Sequence, residues 1–278
     1  MRHPAPRIQR FRQLHESGCF VIPNPWDLGS ARYLAGLGFP ALATTSAGFA
    51  WSLGRRDNRV TVEEALIHLD TIARGVDVPV NADFEGGYAT DPAFVETHVA
   101  AATTTGIAGL SIEDSSANAE SPLFELELAV ERIRAARRAI DTSETTVLLT
   151  ARSEGFIVGR PDLAETIKRL VAYAEAGADC LYAPGVRTLA DVTAIVDAVA
   201  PRPVNVLATG DHFTVDQLAK AGVRRISVGG ALARTAWTGF IAAAREIAEL
   251  GRFGQLGAAL PSSAIEASFE PGTAAEVP

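Results

Sequence analysis

Cysteine is almost absent from this chain: Cys19 and Cys180 are the only two in 278 residues. They form no C-x-x-C pair, so neither a disulfide framework nor a thiolate metal site can be assembled from them. Lysine is as scarce. Lys168 and Lys220 both fall inside helical periodicity, which disfavours a Schiff-base aldolase or a pyridoxal phosphate enzyme. No G-x-G-x-x-G follows the first β-rich run, so a dinucleotide site is not indicated. There is no run of basic residues, and the net charge is -8, which argues against nucleic acid and anionic membranes as partners. No apolar run approaches the length of a membrane span, and "MRHPAPRIQRFRQLHESG" lacks the apolar core of a secretory leader. The expectation is a soluble, unexported, cytoplasmic protein acting on small molecules or other protein chains.

What the chain does have is apolar content, 47% of residues, arranged as a repeat. Eight short β-rich runs, beginning at "CFVIP" (19–23), "ALATT" (41–45), "VPVNAD" (78–83) and "GLSIED" (109–114), alternate with amphipathic helical segments. The later runs are "TVLLTAR" (146–152), "DCLYAP" (179–184), "PVNVLAT" (203–209) and "RISVGG" (225–230). The phrases "YLAGLGFPAL", "TTTGIAGLSI", "AEAGADCLYA" and "AKAGVRRISV" repeat one joint, helix then glycine then strand. Runs apolar enough to be buried on both faces predict an α/β fold of the (β/α)8 type. Residues 1–260 read as one barrel domain, with extra helix from about residue 234 suited to contacts between subunits, and 261–278 as a loose polar tail.

In such a barrel the chemistry sits at the C-terminal ends of the strands. Asp83 and Glu85 follow the third run, Glu113 and Asp114 the fourth, and Arg152 the fifth; Asn205 lies on the seventh, and Asp57 in the loop after the second. Any one of these acids could simply cap a helix, and Arg152 could simply bridge two of them. Together they form a cluster that would repel itself unless a cation entered, and an all-oxygen donor set selects Mg²⁺ or Mn²⁺ over zinc. Asp114 is expected to face the next loop, and His212 to be solvated. The Gly229–Gly230 pair reads equally as a phosphate cradle or as a close-packing position, and Trp26, Trp51 and Trp237 as core or interface residues. This set suits metal-assisted chemistry on a small 2-oxo acid.

The ordered motifs "TTSAG", "WSLGRRD", "ADFEGGY", "GLSIEDS", "TARSEGF" and "NVLA" resemble the isocitrate lyase and phosphoenolpyruvate mutase superfamily from about residue 18 to 240. The likeness is to its branch without a loop cysteine, similar to carboxyphosphonoenolpyruvate phosphonomutase. The resemblance implies that Asp83, Glu85 and Glu113 serve a Mg²⁺ directly or through waters, with Asp57 facing those waters. It further implies that Thr45, Ser46 and Ala47 hold a substrate carboxylate and keto group, that Arg152 contacts substrate, and that Asn205 lies near a distal carboxylate. Helix exchanged between subunits of a dimer of dimers, a homotetramer, also follows from the likeness. The loop after the fourth run, "EDSSANAESPLFELE", departs from the family, holding no Cys, Lys or His. Isocitrate-type cleavage is thereby disfavoured, and Ser115, Ser116 and Asn118 are left to close over the substrate. The leading expectation is a Mg²⁺-dependent carbon–carbon lyase or hydrolase acting on a 2-oxo or 2-hydroxy dicarboxylate through an enolate. Phosphonate chemistry, and a 2-oxo acid binding protein without turnover, are the alternatives.

Overall fold

The computed structural model describes residues 5–116 and 118–269. Eight parallel strands, β1 (Phe20–Ile22), β2 (Leu42–Ala43), β3 (Val80–Asp83), β4 (Gly109–Glu113), β5 (Leu148–Arg152), β6 (Cys180–Tyr182), β7 (Val204–Leu207) and β8 (Arg225–Ser227), form one sheet in the order β1-β8-β7-β6-β5-β4-β3-β2. Each β-rich run of the sequence holds one strand. The ladder does not continue from β2 to β1. That seam is closed by Ala43 N–H donating to the Pro23 carbonyl at 3.0 Å and by Asn24 Nδ2 donating to the Thr44 carbonyl at 2.8 Å. The result is a nearly closed (β/α)8 barrel.

Helices α1 (Ala5–Glu16), α2 (Leu28–Gly36), α3 (Ser46–Ser52), α4 (Val62–Gly75), α5 (Pro92–Thr103), α6 (Leu126–Asp141), α7 (Leu163–Glu175), α8 (Leu189–Val199) and α9 (Val215–Lys220) precede or follow the strands. In α7 the buried positions 166, 169, 170 and 173 form one stripe, and Asp162 caps its first turn by accepting from Glu165 N–H. The four repeated joints carry Gly38, Gly106, Gly177 and Gly222 at φ of 85°, 85°, 104° and 85°. A side chain there would be strained, so each helix ends where its glycine turns the chain back to the barrel.

Helix α1 plugs the N-terminal mouth with Ile8, Phe11 and His15. Burial, then the Arg225 guanidinium, lower the His15 imidazole to about 3, and burial lowers His68 to about 4. Both stay neutral in the fold while the unfolded chain takes up protons below about pH 6.5. Stability is therefore lost as pH falls from there toward these values. Between pH 7 and 4.5 the His15 contribution should amount to about 2–3 kcal/mol. Urea unfolding of His15→Gln beside the native chain checks this: the variant should show the shallower decline.

The C-terminal part holds the extra helix expected beyond β8 and one departure from the sequence reading. Helix α10 (Ala231–Leu250) runs for twenty residues with only Ala233 buried. Residues 262–267, expected within a loose tail, form helix α11 (Ser262–Ala267), and Phe269 reaches Gly29 at the start of α2. Residues 270–278 of that tail lie outside the described residues.

Candidate active site

The C-terminal ends of the strands enclose a cavity of about 180 Å³ whose wall includes Asp57, Asp83, Arg152, Glu154, Tyr182 and Asn205. Its centre is Arg152. Nη1 meets Asp83 Oδ1 at 2.7 Å, Nη2 meets Glu113 Oε2 at 3.1 Å and Nε meets Glu154 Oε1 at 2.9 Å. Burial disfavours its charge, but Glu154, Glu113 and Asp83 more than restore it, and the pKa lies above the ordinary value. The arginine thus organises three acids, where the sequence reading allowed two. Glu154 went unnoticed in the sequence, although the spacing R-x-E in "TARSEGF" repeats the D-x-E of "ADFEGGY".

Asp83 ends β3 with both carboxylate oxygens engaged, Oδ2 accepting from Ser46 N–H at 3.0 Å. Glu85 sits two residues on at φ 45°. Burial first, then Asp83, Asp57 and Glu113, push its carboxyl up to about 8. Glu113 is raised chiefly by burial, against the opposing pull of Arg152. Asp57 lies in an open loop, yet the protein mass around its carboxyl and neighbouring Asp83 raise it as well. Asp83, Glu113 and Glu154 thus share Arg152 while Glu85 and Asp57 crowd beside them, an excess of negative charge that a divalent cation would neutralise. Among the described residues no three His, Cys, Asp or Glu side chains converge as a ready-made cage. Mg²⁺ fits that arrangement, because it keeps several waters and is held through one or two carboxylates.

The turn that presents Glu85 is locked from behind. Arg132 of α6 is 1% exposed and donates to the carbonyls of Glu113 at 3.1 Å, Ala89 at 3.0 Å and Gly86. A side chain on Gly86 would begin 2.8 Å from Arg132 Nη2, and Gly87 holds φ 73°. The glycine pair therefore lets one guanidinium fasten the two acidic loops together. Arg132→Met should destabilise the fold by about 2–4 kcal/mol, because three buried carbonyls lose their donor. Urea unfolding checks it.

The other expected site residues divide. Thr45, Ser46 and Ala47 line the cavity, but the Thr45 hydroxyl caps α3 by accepting from Gly48 N–H at 3.3 Å, and the Ser46 amide is taken by Asp83. Asn205 lines it too, with its amide committed to Ser227 Oγ at 2.9 Å and its carbonyl to Arg225 Nε at 2.8 Å. Ser115 donates to Glu113 Oε1. Asn118 does not wall the cavity: it is exposed, and its Oδ1 accepts from Glu120 N–H at 2.9 Å within its own loop. The loop folds back through Ser116 N–H to the Pro122 carbonyl at 2.8 Å. Asp114 faces away, bound to Tyr173 at 2.6 Å and Arg169 at 3.2 Å, and His212 is exposed. Gly229 N–H is bound by Asn24 Oδ1, and a side chain on Gly230 would begin 3.3 Å from Trp51, so this pair packs closely.

Residues 11–248 match the phosphoenolpyruvate phosphomutase family. A solved structure from Burkholderia cenocepacia, provisionally described as a lyase/mutase, superposes with TM-score 0.93 at 43% identity, covering 98% of this chain and 99% of that one. Oxaloacetate decarboxylase of Pseudomonas aeruginosa is 31% identical over 231 residues, 80% of this chain and 78% of the relative. A structure of oxaloacetate acetylhydrolase with its product oxalate superposes with TM-score 0.81 at 26% identity, covering 92% of this chain and 90% of that one.

Proposed function

Because the chain belongs to the phosphoenolpyruvate phosphomutase family, and is an enzyme of the lyase or hydrolase type within that superfamily, we propose that it cleaves a carbon–carbon bond of a small 2-oxo dicarboxylic acid of oxaloacetate size, using Mg²⁺ or Mn²⁺. The observation that carries this reading is the pairing of Asp83, Glu113 and Glu154 with Arg152, with Glu85 and Asp57 crowded beside them, at a cavity of about 180 Å³. Asp83 would hold the ion, with Glu85, Glu113 and Asp57 reaching it directly or through its waters. When bound, the ion supplies Lewis-acid polarisation of the 2-oxo group and stabilises the negative charge left by bond cleavage.

The chain's own residues do the rest. Arg152 fixes the orientation of Asp83 and Glu113, and its remaining N–H capacity faces a cavity whose apolar wall, Ile22, Ile157 and Leu207, limits water. Asp57, with its raised carboxyl, can hold or release a proton at the mouth. Thr45, Ser46 and Ala47 border the same space and position the substrate carboxylate. The phosphonate alternative is less well supported, since the guanidinium of Arg152 is shared among three acids and no lysine lies in the loop after β4.

NMR of the purified protein with oxaloacetate and Mg²⁺ tests the reading. Decarboxylation yields pyruvate and CO₂, hydrolysis yields oxalate and acetate, and phosphonopyruvate serves as comparator. Metal-dependent formation of either product pair is expected. Turnover of phosphonopyruvate alone, or of neither compound, would sink the proposal.

We also place the protein in the cytoplasm as an oligomer, dimeric or tetrameric. Its two cysteines are unpaired, and among the described residues no helix is long and apolar enough to cross a membrane. Along α10, Leu232, Trp237, Phe240, Ile241, Ile247 and Leu250 are exposed, and apolar residues gathered on one exposed helix mark an interaction surface. Phe240→Glu should shift the protein to a smaller species, which light scattering behind a sizing column measures.

A further inference from the structure

The floor of the cavity holds a cation without a counterion. Arg225, at the start of β8, is 3% exposed and lines the cavity. Its Nε donates to Asn205 Oδ1 at 2.8 Å and its Nη2 to Thr150 Oγ1 at 3.1 Å. Nη1 approaches His15 Nε2 at 3.4 Å and Asn81 Oδ1 at 3.5 Å. His15 points its Nδ1 at the Phe11 carbonyl, 2.8 Å away, so Nδ1 donates and Nε2 is left as a neutral acceptor. Every partner is uncharged. Among the described residues no carboxylate comes within ion-pair distance of Arg225, whereas Arg152 in the same cavity has three.

Neutral acceptors satisfy the N–H groups of a buried guanidinium without cancelling its charge, and a buried unpaired charge is costly unless something completes it. The field of Arg225 therefore falls on the cavity it lines. Asp57, Asp83 and Glu154 stand on the same wall set, so a bound molecule meets acids on one side and an uncompensated cation on the other. Of the five N–H groups of a guanidinium, four face these acceptors and one on Nη2 stays uncommitted. One charge and one free donor match a carboxylate better than a doubly charged phosphoryl group.

Resting on the reading of the site as one for 2-oxo acids, we propose that Arg225, seated by Asn205, Thr150 and neutral His15, is the specificity determinant that binds the second carboxylate of a dicarboxylic substrate. Selection of dicarboxylates over monocarboxylates then comes from the floor of the barrel and not from the loop after β4.

Calorimetric titration with malate and with 2-hydroxybutyrate, in the presence of Mg²⁺, separates this from the reaction assignment because neither ligand needs to turn over. The native chain is expected to prefer malate at least about 30-fold, a charge-assisted contact in a buried site. Arg225→Met should bring that preference to within about threefold, and Arg225→Lys should restore part of it. Asn205→Asp keeps the shape and supplies the missing counterion, so it should abolish the preference even if Arg225→Met fails to fold. A native chain without preference for malate, or an Asn205→Asp or a folded Arg225→Met variant that retains it, would overturn the subsite. Absence of oxaloacetate turnover with the preference intact would instead count against the reaction alone.

Discussion

Arg152→Lys is expected to lower kcat by about 100- to 1,000-fold while leaving a folded protein. The native guanidinium reaches Asp83, Glu113 and Glu154 through three different nitrogens at 2.7, 3.1 and 2.9 Å. A lysine ammonium is a single point with three rotatable donors, so it can hold one of these acids well and at most a second poorly. The released carboxylates would repel one another in a buried place, and breaking a buried pair costs about 3–5 kcal/mol. Part of that cost should appear as a lower melting temperature, and part as misplacement of Asp83, which mutational kinetics reads as lost transition-state stabilisation. Steady-state assays with calorimetric melting of the same preparations check both. Activity within threefold of native would show that the arginine is only a structural bridge.

The second large effect concerns the metal-free protein. Glu85 is buried among like charges, and its carboxyl is pushed up to about 8, with burial the first cause. The sign follows from linkage: a carboxyl raised in the fold contributes stability below its unfolded value and withdraws it as pH rises through the folded one. At neutral pH Glu85 therefore costs the metal-free fold stability. Glu85→Gln should stabilise that form by about 1–3 kcal/mol while activity falls at least about tenfold. Addition of 10 mM Mg²⁺ should raise the native melting temperature by about 5 °C, as binding at about a hundred times the dissociation constant would. The same addition should move Glu85→Gln much less. If Glu85→Gln melts no higher than the native chain without metal, the crowding of acids has been overestimated.

The fold was largely legible because its signal is periodic. Helix spacing, the four glycine joints and eight apolar runs are each local, and their repetition multiplies a weak signal into a clear one. The acids at the ends of β3 and β4 were legible for the same reason, since barrel topology assigns strand ends to the site before any side chain is placed. What escaped was pairing. Glu154 looked like a loop residue because nothing local says that its carboxylate turns back to Arg152. Asn118 looked available because the turn it closes with Glu120 depends on how the loop folds back. Arg225 and Asn24 were invisible: one reads as a charge at a strand start, the other as a turn residue after "VIP". Their partners lie between 20 and 210 positions away in the chain, beyond the reach of any local pattern.

The seam between β1 and β2 gives the barrel a mechanical weak line. Seven of the eight strand junctions are laced by ladders, whereas this one depends on a backbone bond from Ala43 and on the amide of Asn24. Asn24 Oδ1 also gathers the amides of Val228 and Gly229, each at 2.9 Å, so one side chain clasps the ends of β1, β2 and β8 at the cavity rim. Amide exchange at Ala43 should therefore be faster than at the ladder amides of β3 to β8, and Asn24→Ala should quicken it further, because one asparagine stands where other junctions have a row of bonds.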